Sequence, residues 1–226
     1  MEEILTEPAA TLCIFIYRNL TIPALRSMLG MNRSRLNWRI TFEFGDALIS
    51  RARSIAATKF LLHSADDVLV MSDDDFGFSP EGLESVVDLV RSTGGIVAGV
   101  TPLKSGEYTA IVPLEGPLDV EPWRDATHPP MKIKYAGGLI GYPRTVFEKM
   151  AETLPLLHKD SSIEPFYPFF MPMVVGEEYL SEDYACHQRA RDCGFDVWVQ
   201  PRCAVAHLAS SLLVTTANMD IVRGLY

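Results

Sequence analysis

The sequence predicts a single α/β domain with a mostly parallel, doubly wound (Rossmann-like) central sheet flanked by helices. In the first hundred residues, short apolar runs typical of buried strands alternate with amphipathic helical patterns, the order that βαβ units produce. The 226 residues are enough for one such domain with a substantial core. Because 48% of the residues are hydrophobic, 22% are charged and no repeat or linker is visible, residues 1–226 are expected to form one globular domain.

The elements of the first half follow from apolar runs and their boundary signals. Strands are predicted at residues 11–17, 38–44, 67–72 and 96–100, and helices at residues 23–30, 46–63 and 79–94. Pro23 suits the first turn of the first helix, and Asp46 is expected to cap the second helix. Ser79 is expected to cap the third helix, whose apolar residues recur at helical spacing until Gly94 ends it.

The second half of the chain is less regular and rich in proline. A strand predicted at residues 132–139 contains Gly137-Gly138, where the backbone could approach a ligand closely. The other predicted elements are a helix at 143–150, a helix at 182–193 capped by Ser181, and short strands at 195–199 and 203–207. Residues 155–176 combine prolines and aromatic residues without a regular pattern, which is typical of a lid, a binding loop or a packing loop.

Charge and cysteine content limit the possible partners and the compartment. The formal net charge of −9 argues against nucleic acid as a partner, because a phosphate backbone needs a basic surface. The same charge would repel a free nucleotide, so an anionic ligand would need a metal ion or local arginines. No apolar stretch approaches the ~20 residues that span a membrane, and the acidic start Met1-Glu2-Glu3 is unlike a signal peptide. Since the four cysteines form no C-x-x-C pair, free thiols and a cytoplasmic location are expected.

The most informative stretch is Asp73-Asp74-Asp75, which follows the apolar run 68–71. Two ionised carboxylates ~4 Å apart repel by about 4 kcal/mol at an effective dielectric constant near 20, so a positive charge is expected beside them. If strand geometry continues through the triplet, Asp73 and Asp75 project to the same side, ~6.5–7 Å apart at their Cα atoms. This D-x-D spacing predicts a divalent cation that carries a phosphate ligand, and a turn or capping cluster is the alternative.

Other polar residues are expected at the same edge of the sheet, because ligands of open α/β sheets bind beyond the carboxyl ends of the strands. Tyr17 ends the first predicted strand, and Glu43 lies near the end of the second. Arg53 lies early in the helix that follows, where its guanidinium group could pair with a phosphate or a base. The alternative for Arg53 is a solvated position on the helix surface.

A second acidic pair, Glu182-Asp183, opens a predicted helix, and His207 ends a late strand. Acidic residues in a first helical turn are stabilised by the helix dipole, so on its own this pair would be assigned to helix stability. His207 alone would be assigned to a hydrogen-bonded core histidine. Their order along the chain after the D-x-D triplet and Gly137-Gly138 is nevertheless a recognisable one.

That order resembles the glycosyltransferases of GT-A fold, especially the family-two-like enzymes. The resemblance covers most of residues 11–208 and is carried by the segments 49–54, 68–78, 137–141, 181–183 and 194–198. It implies that residues 11–101 bind a nucleoside-diphosphate sugar and that residues 102–208 bind a glycan or another hydroxyl acceptor, with 209–226 as a C-terminal tail. UDP is the favoured nucleotide because of its frequency in the family.

The resemblance also implies roles for individual residues. It places the metal ligands at Asp73, Asp75 and His207 and nucleotide contacts at Tyr17, Arg53 and Asp73. Glu43 and Asp74 are expected to contact the nucleotide from the same edge of the sheet, and ordering of the turn is the alternative for Asp74. The resemblance places Gly137, Gly138 and Glu182 beside the acceptor or the donor sugar. Asp183 corresponds to the general base of inverting members. A mixed carboxylate–imidazole site favours Mn²⁺ over Mg²⁺ as the cofactor.

Two departures from the family pattern concern base recognition, and two alternative functions stay open. The usual Pro-Thr-Tyr after the first strand is Phe15-Ile16-Tyr17 here, and the usual Asn after Arg53 is Ser54. A sugar-phosphate nucleotidyltransferase is the weaker alternative, since residues 16–19 contain no glycine for a phosphate loop. A non-catalytic GT-A-like domain that binds a nucleotide sugar or a glycan is the other. A dehydrogenase is excluded because no G-x-G-x-x-G follows a strand.

Overall fold

The computed structural model describes residues 10–105, 110–117, 119, 125–158, 164–209 and 212–214, which form a single α/β domain. Its helices are α1 (Ile22–Gly30), α2 (Ile49–His63), α3 (Pro80–Thr93), α4 (Arg144–Ala151) and α5 (Glu182–Asp192), with a 3₁₀ turn at Met31–Arg33. Its strands are β1 (Ala10–Ile16), β2 (Trp38–Phe44), β3 (Val68–Asp73), β4 (Phe76–Gly77), β5 (Ile96–Val100), β6 (Ile111–Pro113), β7 (Met131–Ala136), β8 (Ile140–Pro143), β9 (Met173–Val175), β10 (Glu178–Leu180), β11 (Val197–Ala204), β12 (Ala206–Ala209) and β13 (Leu212–Val214).

The central sheet has eight strands in the order β2-β1-β3-β8-β5-β11-β7-β6 among the described residues. Strands β1, β2 and β3 pair in parallel, as do β5 and β11. β8 lies between β3 and β5 and runs antiparallel to both, and β7 runs antiparallel to β11. The sheet is therefore mixed, which corrects the expectation of a mostly parallel arrangement.

The difference arises at Gly137-Gly138, where one strand was predicted and two are present. β7 stops at Ala136, and the chain then passes through Gly138, whose φ of 109° is favoured only for glycine. Ile140–Pro143 follows as β8 in the middle of the sheet, away from β7. A run of four residues is too short to reveal its direction from sequence, and its burial on both faces removes the usual alternation.

Helices cover both faces of the sheet, as doubly wound topology requires. On one face α2, α4 and α5 contribute Phe60, Phe147 and Ala190 to a core that also includes Leu69 of β3. On the other face α3 buries its apolar residues against the opposite side of the same strands. The carboxyl ends of β1, β2 and β3 are left open between these layers.

The bounds of α3 and α5 agree with the prediction, whereas the predicted side-chain caps are absent at α2 and α5. Ser79 caps α3, since its Oγ accepts a hydrogen bond of 3.0 Å from the Gly82 N–H, and Gly94 ends the helix with φ of 66°. Asp46 does not cap α2, because its carboxylate pairs with Arg51 at 2.7 Å and the helix starts only at Ile49. Ser181 occupies the N-cap position of α5 without a side-chain capping bond.

The middle of the predicted loop at 155–176, residues 166–170, is packed against the core, whereas both described ends of the loop are largely exposed. The rings of Phe169 and Phe170 are fully buried against Phe147. The Phe170 N–H also donates a hydrogen bond of 3.0 Å to Ser54 Oγ on α2. These two aromatic rings therefore serve packing and are not open to a sugar ring.

The remaining chain-wide expectations concern the tail, the cysteines and membrane spans. Of the predicted tail 209–226, the structure describes Ala209 at the end of β12 and Leu212–Val214, and the rest lies outside the described residues. The four cysteines are free thiols, as expected. Within the described part of the chain, no helix is both long and apolar enough to cross a bilayer.

Candidate functional site

The acidic triplet lies at the carboxyl end of β3, and its three side chains have different partners. The strand ends at Asp73, and Asp74 and Asp75 form a turn that leads into β4. The expectation that strand geometry continues through Asp75 is wrong, because the chain must turn here so that Phe76–Gly77 can pair with β12. The charge repulsion is relieved by separate cationic and backbone partners.

Asp73 and Asp183 are held together by Arg53. Arg53 Nη2 donates to both carboxylate oxygens of Asp73 at 2.9 and 3.1 Å, and Nη1 donates to Asp183 Oδ1 at 2.8 Å. Arg53 and Asp183 are only 2% and 5% exposed, so Arg53 is not the solvated helix-surface residue of the alternative interpretation. One guanidinium group thus connects the D-x-D triplet with the acidic pair that opens α5.

The pKa values of Arg53 and Asp183 are both raised at this site. Burial alone would lower the pKa of Arg53, but the carboxylates of Asp183 and Asp73 outweigh it and raise that pKa above its ordinary value. Burial raises the pKa of Asp183 to about 7, with Glu182 and Asp73 adding to the rise and Arg53 opposing it. Near neutral pH Asp183 is therefore poised between its protonated and ionised forms.

Gly137 and Gly138 bring the β7–β8 turn against Asp183. The Gly138 N–H points to Asp183 Oδ2 at 3.4 Å, and a Cβ atom on Gly137 would lie 3.5 Å from the same oxygen. A Cβ atom on Gly138 would lie 2.5 Å from Thr101 Oγ1. The absence of a side chain at these glycines therefore lets the backbone lie close to Asp183, the candidate base, and to Thr101, which follows β5.

Asp75 has a separate pair of basic neighbours, Lys104 and His207. Lys104 Nζ lies 2.5 Å from Asp75 Oδ2, and His207 Nε2 lies 3.5 Å from the same oxygen. Burial would raise the pKa of Asp75, but the bonds from His207 and Lys104 outweigh it and lower that pKa below its usual range. The carboxylate is therefore ionised at neutral pH.

Lys104 is the site residue that sequence reasoning missed. It follows the carboxyl end of β5, so the rule that places ligands at this edge of the sheet could have selected it. It was overlooked because it lies in the irregular segment after residue 101, where no pattern marks individual side chains. Its ammonium group supplies the positive charge that the triplet was expected to require.

The geometry around His207 fits a divalent cation shared with Asp75. His207 Nδ1 lies 2.8 Å from the Pro102 carbonyl oxygen, which only accepts, so Nδ1 carries the proton. When Nε2 carries a proton it bonds directly to an Asp75 carboxylate oxygen 3.5 Å away, and when it carries none the same two atoms could bind a common cation. Across the described residues no three His, Cys, Asp or Glu side chains converge on one point, since Asp73 turns to Arg53.

Asp74 orders the turn. Its carboxylate accepts the Tyr17 N–H at 3.2 Å, and its carbonyl oxygen accepts the Thr21 hydroxyl at 2.5 Å. Burial raises the pKa of Asp74, partly offset by the Tyr17 bond and reinforced by its two acidic neighbours. The structure thus places Asp74 as the link between the triplet and the segment that leads into α1.

The predicted nucleotide contacts Tyr17 and Glu43 line an open cleft of about 170 Å³ whose other wall is the acidic triplet. The Tyr17 side chain is 55% exposed, and Glu43 pairs with Lys59 of α2 at 2.8 Å. Glu182 lies at the start of α5, partly buried next to Asp183. The structure thus groups Asp73 and Asp183 around Arg53 and groups His207 and Lys104 around Asp75, while Tyr17 and Glu43 line the adjoining cleft.

Comparisons with known proteins support the fold alone. The chain superposes on a solved structure described as the crystal structure of A197 from STIV with a TM-score of 0.61, at 14% sequence identity. The match covers 92% of this chain and 91% of that chain. No family model and no curated protein matched the chain in these comparisons. The similarity extends over the whole described α/β domain and concerns its fold.

Proposed function

We propose that this protein is a glycosyltransferase of GT-A type that transfers a sugar from a nucleoside diphosphate, UDP in preference, to a hydroxyl group. The observation that carries the proposal is the Asp73–Arg53–Asp183 chain, which brings a D-x-D carboxylate and a candidate base into one site. Their meeting was implied by the family resemblance and not by spacing in the sequence. A sheet edge built for packing alone has no need to bury a guanidinium group between two acids.

The donor is proposed to lie in the cleft between Tyr17 and the triplet. The exposed Tyr17 ring offers a face on which a nucleotide base can stack, and Glu43 and Asp73 offer acceptors for ribose hydroxyls. The cleft carries an excess of carboxylates, so a diphosphate there needs compensating positive charge. Lys104 is the local cation at the rim, beside Asp75.

A divalent cation would be held by Asp75 and His207, with its remaining ligands from phosphate and water. When bound, such an ion neutralises the negative charge that develops on the departing nucleoside diphosphate. The carboxylate–imidazole pair suits Mn²⁺ better than Mg²⁺, which prefers oxygen ligands throughout. His207 and Lys104 both lower the pKa of Asp75, which keeps the carboxylate ionised and able to bind such an ion.

Asp183 is proposed as the general base that takes the proton from the acceptor hydroxyl. Arg53 fixes its Oδ1, which leaves Oδ2, beside the Gly138 N–H, to accept that proton. Its pKa of about 7 matches the value that makes a general base efficient near neutral pH. Attack by the hydroxyl from the face opposite to the leaving group would invert the anomeric centre. Glu182 and the glycine turn then border the sugar-binding space.

Two variants and one matched control test this assignment. Asp75→Ala should abolish Mn²⁺-dependent nucleotide binding, and Asp183→Asn should keep donor binding while turnover falls by ~10²-fold or more. Asp192→Asn, at the exposed end of the same helix, should behave as wild type. Proton NMR of the product would show whether the anomeric configuration is inverted. Full turnover by Asp183→Asn would remove Asp183 as the base.

The donor itself is identified by thermal unfolding with UDP, GDP, CDP and dTDP, each with and without Mn²⁺. A ligand at ~100 times its dissociation constant stabilises the folded state by about 2.7 kcal/mol, which gives a clear rise in Tm. UDP with Mn²⁺ should give the largest rise. Absence of any rise would contradict a nucleotide-sugar donor.

A non-catalytic binding domain is the second candidate, and the burial of Asp183 is the observation that favours it. Asp183 is 5% exposed and already bonded to Arg53, so a hydroxyl must enter a nearly closed space to reach it. In that case nucleotide sugars should raise the Tm while no sugar is released or transferred. Measurement of UDP release with and without acceptor separates the two candidates.

A further inference from the structure

The net charge of −9 conceals a strongly basic segment near the start of the domain. Between residues 8 and 42 the sequence contains no aspartate and no glutamate, and its charged residues are Arg18, Arg26, Arg33, Arg35 and Arg39. This segment includes α1 and the 3₁₀ turn that follows it. The overall acidity of the chain therefore says little about the field at this surface.

The outer face of α1 is apolar as well as basic. Ala24 and Ser27 point into the domain, whereas Ile22, Leu25 and Leu29 are 66%, 44% and 68% exposed. These three residues recur at i, i+3 and i+7, so they form one stripe along the solvent side of the helix. An aliphatic stripe in water contributes nothing to the stability of the fold, and a contiguous exposed apolar patch is a mark of an interaction site.

Arginines border this stripe without acidic partners. Among the described residues, Arg18, Arg26 and Arg33 have no carboxylate within salt-bridge distance, and all three are exposed. Arg35 pairs with Glu84 at 3.2 Å, and Arg39 pairs with Asp66 at 3.1 Å. Arg18 lies over the Tyr17 ring, 5.5 Å from its centroid, but none of the three guanidinium groups has a carboxylate partner in the part of the chain that the structure describes, so they give the α1 surface a positive charge.

We propose that this surface, defined by Ile22, Leu25 and Leu29 with Arg18, Arg26 and Arg33 around them, binds to an anionic lipid bilayer. A helix that lies in the interface inserts its apolar side chains below the headgroups while its basic residues contact the lipid phosphates. The aliphatic stripe suits the acyl-chain region of such a bilayer, and the arginines suit its anionic headgroups. Nucleic acid would satisfy the arginines and leave the stripe in water.

The position of α1 connects this surface to the candidate site. The Thr21 hydroxyl, at the N-cap of α1, donates to the Asp74 carbonyl oxygen, and Ser27 Oγ accepts the Phe78 N–H at 2.8 Å. The helix is thus bonded to the turn that carries the acidic triplet. If the proposed transferase function holds, on which this step rests, a bound bilayer would lie beside the cleft, and the acceptor class is a hydroxyl of a membrane-anchored molecule.

Vesicle flotation with the full-length protein tests the membrane surface. Phosphatidylcholine vesicles with phosphatidylserine should carry at least about tenfold more protein than phosphatidylcholine alone, and added salt should reduce binding because it screens the arginines. Leu25→Glu/Leu29→Glu and Arg26→Glu/Arg33→Glu should each abolish flotation. Leu62→Glu is the matched control, since Leu62 is equally exposed, at 56%, on α2.

Three outcomes would overturn the inference: equal flotation with neutral vesicles, no flotation at all, or wild-type flotation by Leu25→Glu/Leu29→Glu. Circular dichroism of each variant shows whether it is folded. The stripe could instead be covered by a second copy of this chain, and light scattering without vesicles tests this alternative. A dimer in wild type that becomes a monomer in Leu25→Glu/Leu29→Glu would assign the stripe to that contact. Since flotation needs no donor, a failed flotation leaves the transferase proposal intact, and an inactive protein that floats leaves this inference intact.

Discussion

Arg53 Nη1 donates a 2.8 Å hydrogen bond to Asp183 Oδ1 across 130 positions of the chain, in a region almost closed to solvent. The other terminal nitrogen of the same guanidinium group holds Asp73. Two acids that belong to separate halves of the sequence thereby share one buried cation. The site's stability, its proton affinity and its proposed chemistry all depend on this contact.

Replacement of Arg53 by methionine should destabilise the fold strongly. The substitution leaves two carboxylates without their cation, and loss of one partner of a buried ion pair costs about 3–5 kcal/mol. Urea unfolding followed by circular dichroism measures the loss. Arg35→Met is the control, because its pair with Glu84 is half exposed at the arginine and should cost about 1 kcal/mol or less. Equal losses in the two variants would contradict a structural role for the Arg53 contact.

Turnover should depend on pH through Asp183. With a pKa of about 7 in the folded protein, the carboxylate is protonated below that pH and cannot accept a proton from the acceptor hydroxyl. The value of kcat/KM should therefore fall tenfold per pH unit on the acid side of about pH 7. In Asp183→Asn the residual rate should lose this limb. A wild-type profile that is flat between pH 5 and 8 would exclude the assignment.

The contribution of Asp183 to the free energy of unfolding should decrease as pH rises, whereas turnover should increase. Asp183 has a folded pKa above its unfolded value of about 3.9, so its folded state binds the proton more tightly. Its contribution is fully present below about pH 4 and is lost as pH rises through about 7. The free energy of unfolding of wild type minus that of Asp183→Asn should decrease across this window. A difference that is constant with pH would show that Asp183 does not titrate there.

The elements that could be predicted from sequence are those with local signals. α3 was predicted from its capping serine, its helical apolar spacing and its terminal Gly94, and all three are present in the structure. β8 was missed, because four buried residues give no alternation and their pairing with β3 and β5 is decided by the fold around them. Asp46 failed as a cap because Arg51, five positions away, competes for its carboxylate.

The same distinction between local signals and long-range contacts applies to the candidate site. Asp73, Asp75, Asp183 and His207 could be selected by residue type and order, but the sequence could not show how they are grouped. Contacts between side chains far apart in sequence, such as Lys104 with Asp75, have no local signal. Net charge is a sum over the whole chain and does not show where charges lie, so the value of −9 suggested no basic surface although the segment around α1 carries one.

Gly138→Ala should destabilise the β7–β8 turn. The substitution adds strain at a φ of 109° and places a Cβ atom 2.5 Å from Thr101 Oγ1, for an expected cost of about 1–3 kcal/mol. Gly94→Ala is the matched control, since its φ of 66° is also positive but no atom lies within 4 Å of the added Cβ. Unfolding of both variants in urea separates the contact with Thr101 from the cost of the backbone conformation. A smaller loss at Gly138 than at Gly94 would contradict the close approach.

Removal of the Lys104 ammonium group should strengthen binding of a divalent cation. Lys104 Nζ and the proposed ion compete for Asp75 Oδ2, so Lys104→Met leaves the carboxylate and His207 Nε2 free to bind the ion. Titration with Mn²⁺ followed by electron paramagnetic resonance should show a Kd at least about tenfold lower than wild type, which corresponds to about 1.4 kcal/mol. Lys132→Met, which removes an equally exposed lysine paired with Asp196, should leave the Kd unchanged. Lys104→Arg should bind Mn²⁺ as weakly as wild type, because the guanidinium group keeps the competing charge. Weaker binding by Lys104→Met would instead mean that the lysine supports the metal site, and it would reverse the competition that the Asp75 contacts indicate.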